Sequence, residues 1–176
     1  MTGFRRFAAR LRRAEDGVAA VEMSLLGSML CVALLNVGEI GRYAYVSMEA
    51  STATQAGAAA ALATCDVAHV PATSNCPGLN NAVTTALQST SLGSNVALSS
   101  QLTEGYYCLN NSLALAYMSG PTTPPTDCSA VSNPTGVPAL YLTVATAYTY
   151  TPMFPGLTVV NALPHQLSHT AWMRMK

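Results

Sequence analysis

Charge is what this sequence has least of. Only 16 of its 176 residues are Asp, Glu, Lys or Arg, against roughly 25% in an average soluble domain. Five of the eight basic residues, Arg5, Arg6, Arg10, Arg12 and Arg13, fall within the first thirteen positions, and beyond residue 16 three bases face six acids. A body without clustered Lys and Arg cannot neutralise a run of phosphates, which excludes nucleic acid as a partner. Catalytic signatures are missing too. There is no Gly-x-Ser-x-Gly elbow to expose a serine nucleophile, no His-Glu-x-x-His pair to hold a metal, and no glycine loop to cradle phosphate. Past the first apolar run the acids are only Glu39, Glu49, Asp66, Glu104 and Asp127, spread too widely for paired acid and base work. His165 and His169 are four apart, but they follow Pro164 in strand-like sequence and do not share a helix face. The histidines and serines read as surface or sheet residues. The expected protein is not an enzyme and takes no cofactor and no metal.

What is present is apolar: 50% of the residues, enough for one folded domain. From Val18 to Gly38 there are 21 residues, 15 of them apolar. As a helix this run is about 31 Å long, sufficient to cross a bilayer once. No second stretch of comparable length follows. The arginines lie before the run and only Arg42 lies soon after it, so the positive-inside rule puts the N-terminus in the cytoplasm and the remainder across the membrane. Residues 1–17 are then a cytoplasmic leader, 18–38 the transmembrane helix and 39–176 an extracytoplasmic domain. A cleaved secretory signal with Met23 to Leu35 as its apolar core is the competing reading. It lacks a small-x-small cleavage site in Asn36, Val37, Gly38, Glu39, Ile40 and Gly41.

Glu22 breaks the apolar run one turn past its cytoplasmic end, where an unpaired carboxylate costs about 1 to 3 kcal/mol to insert. Snorkelling suits long side chains, and the stem of Glu is short. An acid retained at such a depth therefore asks for a partner.

The run Asp16, Gly17, Val18, Ala19, Ala20, Val21, Glu22, Met23 after a basic leader resembles the prepilin-peptidase site of type IV pilin-like proteins, with Gly before the scissile bond and Glu fifth after it. Together with Gly38-Glu39-Ile40-Gly41-Arg42 and the Ala-rich stretch from Gln55 to Ala61, it is similar to the TadE family of pseudopilins and minor pilins from tight-adherence (Flp) pilus systems. The Pro-aromatic-Pro interruption within Tyr148 to Pro155 and the closing Ala171 to Arg174 are similar to that family's C-terminal end. Met23 stands where the family usually has an aromatic residue. The resemblance covers residues 13–62 and, less closely, 138–176. It implies cleavage between Gly17 and Val18 by a prepilin peptidase, residence in the inner membrane with a periplasmic domain, and partners among other pilin subunits and the pilus assembly platform. It also implies a part in pilus biogenesis and surface adhesion. The physics is compatible: cleavage leaves an ammonium on Val18, and the Glu22 of an adjacent copy neutralises it. Two charges unfavourable in lipid become one pair, which fixes subunit register more than it adds stability.

Beyond the membrane, Glu39 to Ala63 holds no Pro, and eight of its last fourteen residues are Ala, so the helix is expected to continue for about 45 residues in all. Ser24, Gly27, Ser28 and Cys31 supply a small-faced strip for close helix packing. Glu39 and Arg42, three apart, either pair on one face at the outer interface or stand there as solvated boundary residues. A loop is expected over residues 64–78 and a short helix over 80–91, where Leu79, Val83, Ala86, Leu87 and Thr90 recur at helical spacing. Strands are expected over 104–109 and 112–118 about an Asn110-Asn111 turn, then over 139–150 and 166–175, with a proline-rich loop over 119–137. In the 139–150 strand, Leu140, Leu142, Val144, Thr146, Tyr148 and Tyr150 share one face. The fold class that follows is α+β and pilin-like, a long N-terminal helix packed on a small antiparallel sheet.

Cys31 reads as an apolar filler in the membrane. Cys65, Cys76, Cys108 and Cys128 all lie on the side expected to be oxidising. Three pairings are possible; Cys65 with Cys76 and Cys108 with Cys128 is favoured because each bridge then ties down a polar loop. Each closure is worth about 3 kcal/mol in the chain-entropy treatment. A zinc site built on Cys65, His69 and Cys76 has the wrong spacing for a compact ligand set. Two functional alternatives remain beside the pilin reading: a single-pass anchored binding or structural module that is never polymerised, and a secreted enzyme whose mature chain starts near residue 50.

Overall fold

The computed structural model describes residues 15–176, and side chains from Gly17 onward. The five arginines of the leader lie outside the described residues. One helix, α1, runs unbroken from Glu15 to Thr64. Its first half is apolar on every side, and its second half is dominated by Ala, so no stripe directs it against a single neighbour before residue 44. The chain divides into two compact units: residues up to Tyr43 with Pro152–Leu163, and Ala44–Thr151 with Pro164–Lys176. Residues 39–43 and 152–163 belong to the first unit.

The second unit is an α+β fold. Strands β1 (Val96–Leu98), β2 (Thr103–Leu109), β3 (Leu115–Ser119), β4 (Ala139–Thr149) and β5 (Gln166–Arg174) form one antiparallel sheet. Strand β4 is central. Along one edge it pairs with β5 from Tyr141↔Arg174 to Thr149↔Gln166, and its other edge is shared by β2 and β1. Its alternation sorts the two sides as the sequence requires: Leu140, Leu142, Val144 and Thr146 are all buried. Against them lie Ala53, Ala58 and Ala61 of α1, joined by Val83 and Leu87 of a short helix, α3 (Leu79–Gln88). Alanines at these positions let α1 lie close to its neighbours. Gly57 goes further: a Cβ there would sit 3.0 Å from Leu87 Cδ2 and 3.3 Å from Val83 Cγ1.

Two buried hydroxyls link α1 to the sheet. Thr54 Oγ1 lies 2.7 Å from the Ala50 carbonyl and 2.6 Å from Thr146 Oγ1, which is itself 3.5 Å from the His169 carbonyl. The opposite side of the sheet carries an aromatic cluster in which Tyr107 meets Tyr117, Tyr141 and Trp172 edge-on, with ring centroids 4.8 to 6.0 Å apart. Gly105 makes room for it, since a Cβ there would lie 2.7 Å from the Tyr117 ring.

Three local expectations need correction. The segment expected as a loop over 64–78 contains a 3-10 turn at Val67–His69 and one helical turn, α2 (Ala72–Asn75), held by the Asp66 cap on Ala68 N–H and by the Cys65–Cys76 bridge. Strand β1, only three residues long, is absent from the sequence reading. The β2–β3 connection is five residues, not two. The Asn110 carboxamide oxygen accepts from both Ser112 and Ala114 N–H, each at 2.9 Å, and so organises a wider loop in which Leu113 takes φ 60°.

Candidate membrane and assembly site

The first unit contains every residue singled out for membrane and assembly roles. Helix α1 is long and apolar enough to cross a membrane once, and none of its most apolar 18-residue window is buried. Large side chains from Val18 to Val37 stand open on all sides. In water such a continuous apolar surface is strongly unfavourable, at about 25 cal/mol per Å². Three of its polar side chains bond within the helix, as lipid demands. Ser24 Oγ donates to the Val21 carbonyl at 2.8 Å, Ser28 Oγ to Leu25 at 2.9 Å, and Asn36 Nδ2 to Val32 at 2.8 Å. The free thiol of Cys31 is exposed on this surface.

Gly17 and Val18 lie within α1. A scissile bond must be extended to enter a protease, whereas here it is helical. Gly favours helix by about 1 kcal/mol less than Ala, which lowers the cost of unwinding the chain there. Glu22 is exposed one turn further on, with no hydrogen-bond or ion-pair partner among the described residues. Four residues separate it from Val18, so both occupy one helix face.

At the far end of the apolar segment the geometry is closed. Glu39 is only 3% exposed. Its Oε1 accepts the Met153 amide at 3.0 Å and lies 3.6 Å from Arg42 Nη1. The two residues do pair across three positions, but Glu39 is not a solvated boundary residue. One turn nearer the N-terminus, Asn36 Oδ1 accepts the Val159 amide at 2.8 Å. Residues 152–163 therefore form a strap fixed to α1 at two points. Pro155 and Gly156 occupy the centre of a turn closed by Leu157 N–H to the Phe154 carbonyl, with Gly156 at φ 83° where a side chain is disfavoured. Sequence reasoning found Glu39 and Arg42 by spacing. It missed Asn36 and the amides of Met153 and Val159, whose pairing joins positions more than a hundred residues apart.

In the second unit the cysteines pair as favoured: Cys65 with Cys76 and Cys108 with Cys128, with Cα atoms 5.8 and 5.7 Å apart. The bridge takes both thiols that a zinc site would need. Three carboxyls outside the membrane-length segment titrate below their ordinary range, each through a hydrogen bond to the charged form. For Glu49 the main donor is the Ser91 hydroxyl, against some opposing burial. For Asp66 it is the His69 ring at 2.6 Å, then the Ala68 amide, and for Asp127 the Ser129 hydroxyl at 2.6 Å, then its amide. His169 meets Ser47 Oγ at 3.5 Å across the helix–sheet contact, while His165 caps the sheet by accepting Tyr150 N–H on its carbonyl at 2.7 Å.

The fold and site together define a class, an α+β domain carried on a helix of membrane-spanning length. No family model matches the chain, nor does any curated protein or solved structure.

Proposed function

We propose that this protein is a pseudopilin or minor pilin of a tight-adherence pilus machine. It is inserted with its N-terminus in the cytoplasm of the inner membrane, cleaved after Gly17 by a prepilin peptidase, and assembled through α1 with other pilin subunits on the assembly platform. One observation carries the reading: a carboxylate, Glu22, stands exposed and unanswered among the described residues on a lipid-length helix, one turn past a Gly-Val bond. An amine freed at Val18 on an adjacent copy supplies the missing partner. The uncharged Ser, Thr, Asn and Tyr surface of the rest of the chain suits close packing of subunits and weak adhesion.

N-terminal sequencing or intact-mass analysis of the protein from its native host tests the cleavage. The expected start is Val18; a mature chain that keeps its arginines overturns the assembly reading and leaves an anchored, unpolymerised module. Glu22→Ala is expected to abolish incorporation into pili while sparing membrane insertion and cleavage, read by shear-fraction blotting. Normal piliation in that variant defeats the pairing.

A further inference from the structure

We propose that the strap over residues 152–163 is a second membrane contact, seated in the headgroup and acyl boundary of the leaflet where α1 leaves the bilayer. The inference rests on the reading that residues 18–38 cross a membrane, and it assigns a lipid surface to a segment which that reading leaves without a role. Its side chains divide. Thr158 and Val160 are buried, whereas Met153, Phe154, Leu157, Val159 and Leu163 are all exposed, Leu157 at 66%. The twelve residues include no Asp, Glu, Lys or Arg. An exposed apolar set of this size on an uncharged loop marks an interaction surface.

Position selects the occupant. Asn36 lies 18 residues past Val18, a rise of about 27 Å, close to the hydrocarbon thickness of about 30 Å. The strap is pinned to Asn36 through Val159 N–H and to Glu39 through Met153 N–H. Its two anchor points thus fall at the edge of the hydrocarbon, with the Val159 end one turn deeper than the Met153 end. The strap and the apolar part of the helix to which it is pinned both present exposed apolar side chains. The backbone near this depth is also provided for. Leu157, Asn161 and Leu163 N–H each bond to a carbonyl three residues back, which satisfies these three donors within the irregular chain near the interface. Short apolar segments held at the boundary by such internal bonding insert shallowly rather than span.

The test uses the full-length protein reconstituted in phosphatidylcholine–phosphatidylglycerol vesicles. Cys31 is the one thiol outside a disulfide, so an environment-sensitive fluorophore on it reports the depth of the span. A second sample carries Cys31→Ser with Leu157→Cys, and a third Cys31→Ser with Val137→Cys as a water-exposed reference; both substituted positions are exposed, so the fold is not at issue. The expected result is deep-lipid quenching at Cys31. At position 157, a blue-shifted emission is expected, with quenching by headgroup-region spin-labelled lipid severalfold above that by aqueous iodide. Iodide quenching at 157 equal to that at 137, with Cys31 still quenched by lipid, overturns the strap proposal alone. Protection at 157 from both quenchers means that a second copy covers it, and also overturns the proposal. Failure of lipid to quench Cys31 overturns the membrane-spanning reading and the strap with it.

Discussion

Glu39 shows how one side chain can serve two structural tasks. Spacing alone identifies its partner three residues on, because positions three apart share a helix face whatever the tertiary fold. Its more consequential partner, the amide of Met153, comes from the far end of the chain, and no local pattern encodes such a contact. Glu39→Ala is expected to release the strap: hydrogen exchange at Met153 should lose its protection while amides of the central strand keep theirs, and Glu39→Gln, which retains an acceptor, should preserve most of it. Gly57 illustrates the opposite limit, where a missing side chain matters. Alanine richness predicts a close helix contact here, but which residue must have no Cβ depends on Leu87 and Val83 arriving from another helix. Gly57→Val should destabilise the fold by about 1 to 3 kcal/mol, measured as a lower urea midpoint with an unchanged m-value.

Among the elements, legibility tracks how locally each is determined. Strand β4 was plain because its alternation persists over many residues and its buried side, Leu140 to Thr146, is uninterrupted. Helix α3 was found from the spacing of Leu79, Val83 and Leu87, each of which is buried. Strand β1 was not, since three residues hold no period, and Val96–Leu98 is a strand only because β4 offers it an edge. The β2–β3 turn was undersized because an Asn110-Asn111 pair suits a two-residue turn, and nothing local reveals that the Asn110 side chain captures two amides further on. The disulfides were legible from the loops they close, 11 and 20 residues in separation. Replacing Cys65 and Cys76 together by Ser should lower stability by about 3 kcal/mol, and Cys108 with Cys128 by a similar amount, read from denaturant midpoints of the full chain in one detergent.

For the whole molecule, scarcity of charge leaves few titrating groups, and three of them are tuned in one direction. Glu49, Asp66 and Asp127 all have folded pKa values below the unfolded ones. Between those values the unfolded chain binds more protons, so their contribution is present above about pH 4 and is lost as pH falls through the lowered values. Urea midpoints should therefore decline on acidification below about pH 4, and Asp66→Asn should reduce the decline; a midpoint insensitive to pH in that range would contradict the assignment. The apolar run makes the membrane-length helix legible, and helical spacing with strand alternation does the same for the α+β body. The division of the chain was less accessible: residues 152–163 interrupt two strands in sequence yet belong with the helix, and only the contacts of Asn36 and Glu39 reveal it.

The placement of β4 has a consequence for biosynthesis. Because β1 pairs with no strand but β4, and β2 and β3 have only each other until it arrives, the sheet cannot close before residue 149 has emerged from the ribosome. A nascent chain cut short by even a fifth of its length is left with a lone hairpin, which is marginal by itself in water. Quality-control proteases should thus meet either a finished sheet or none, with little between.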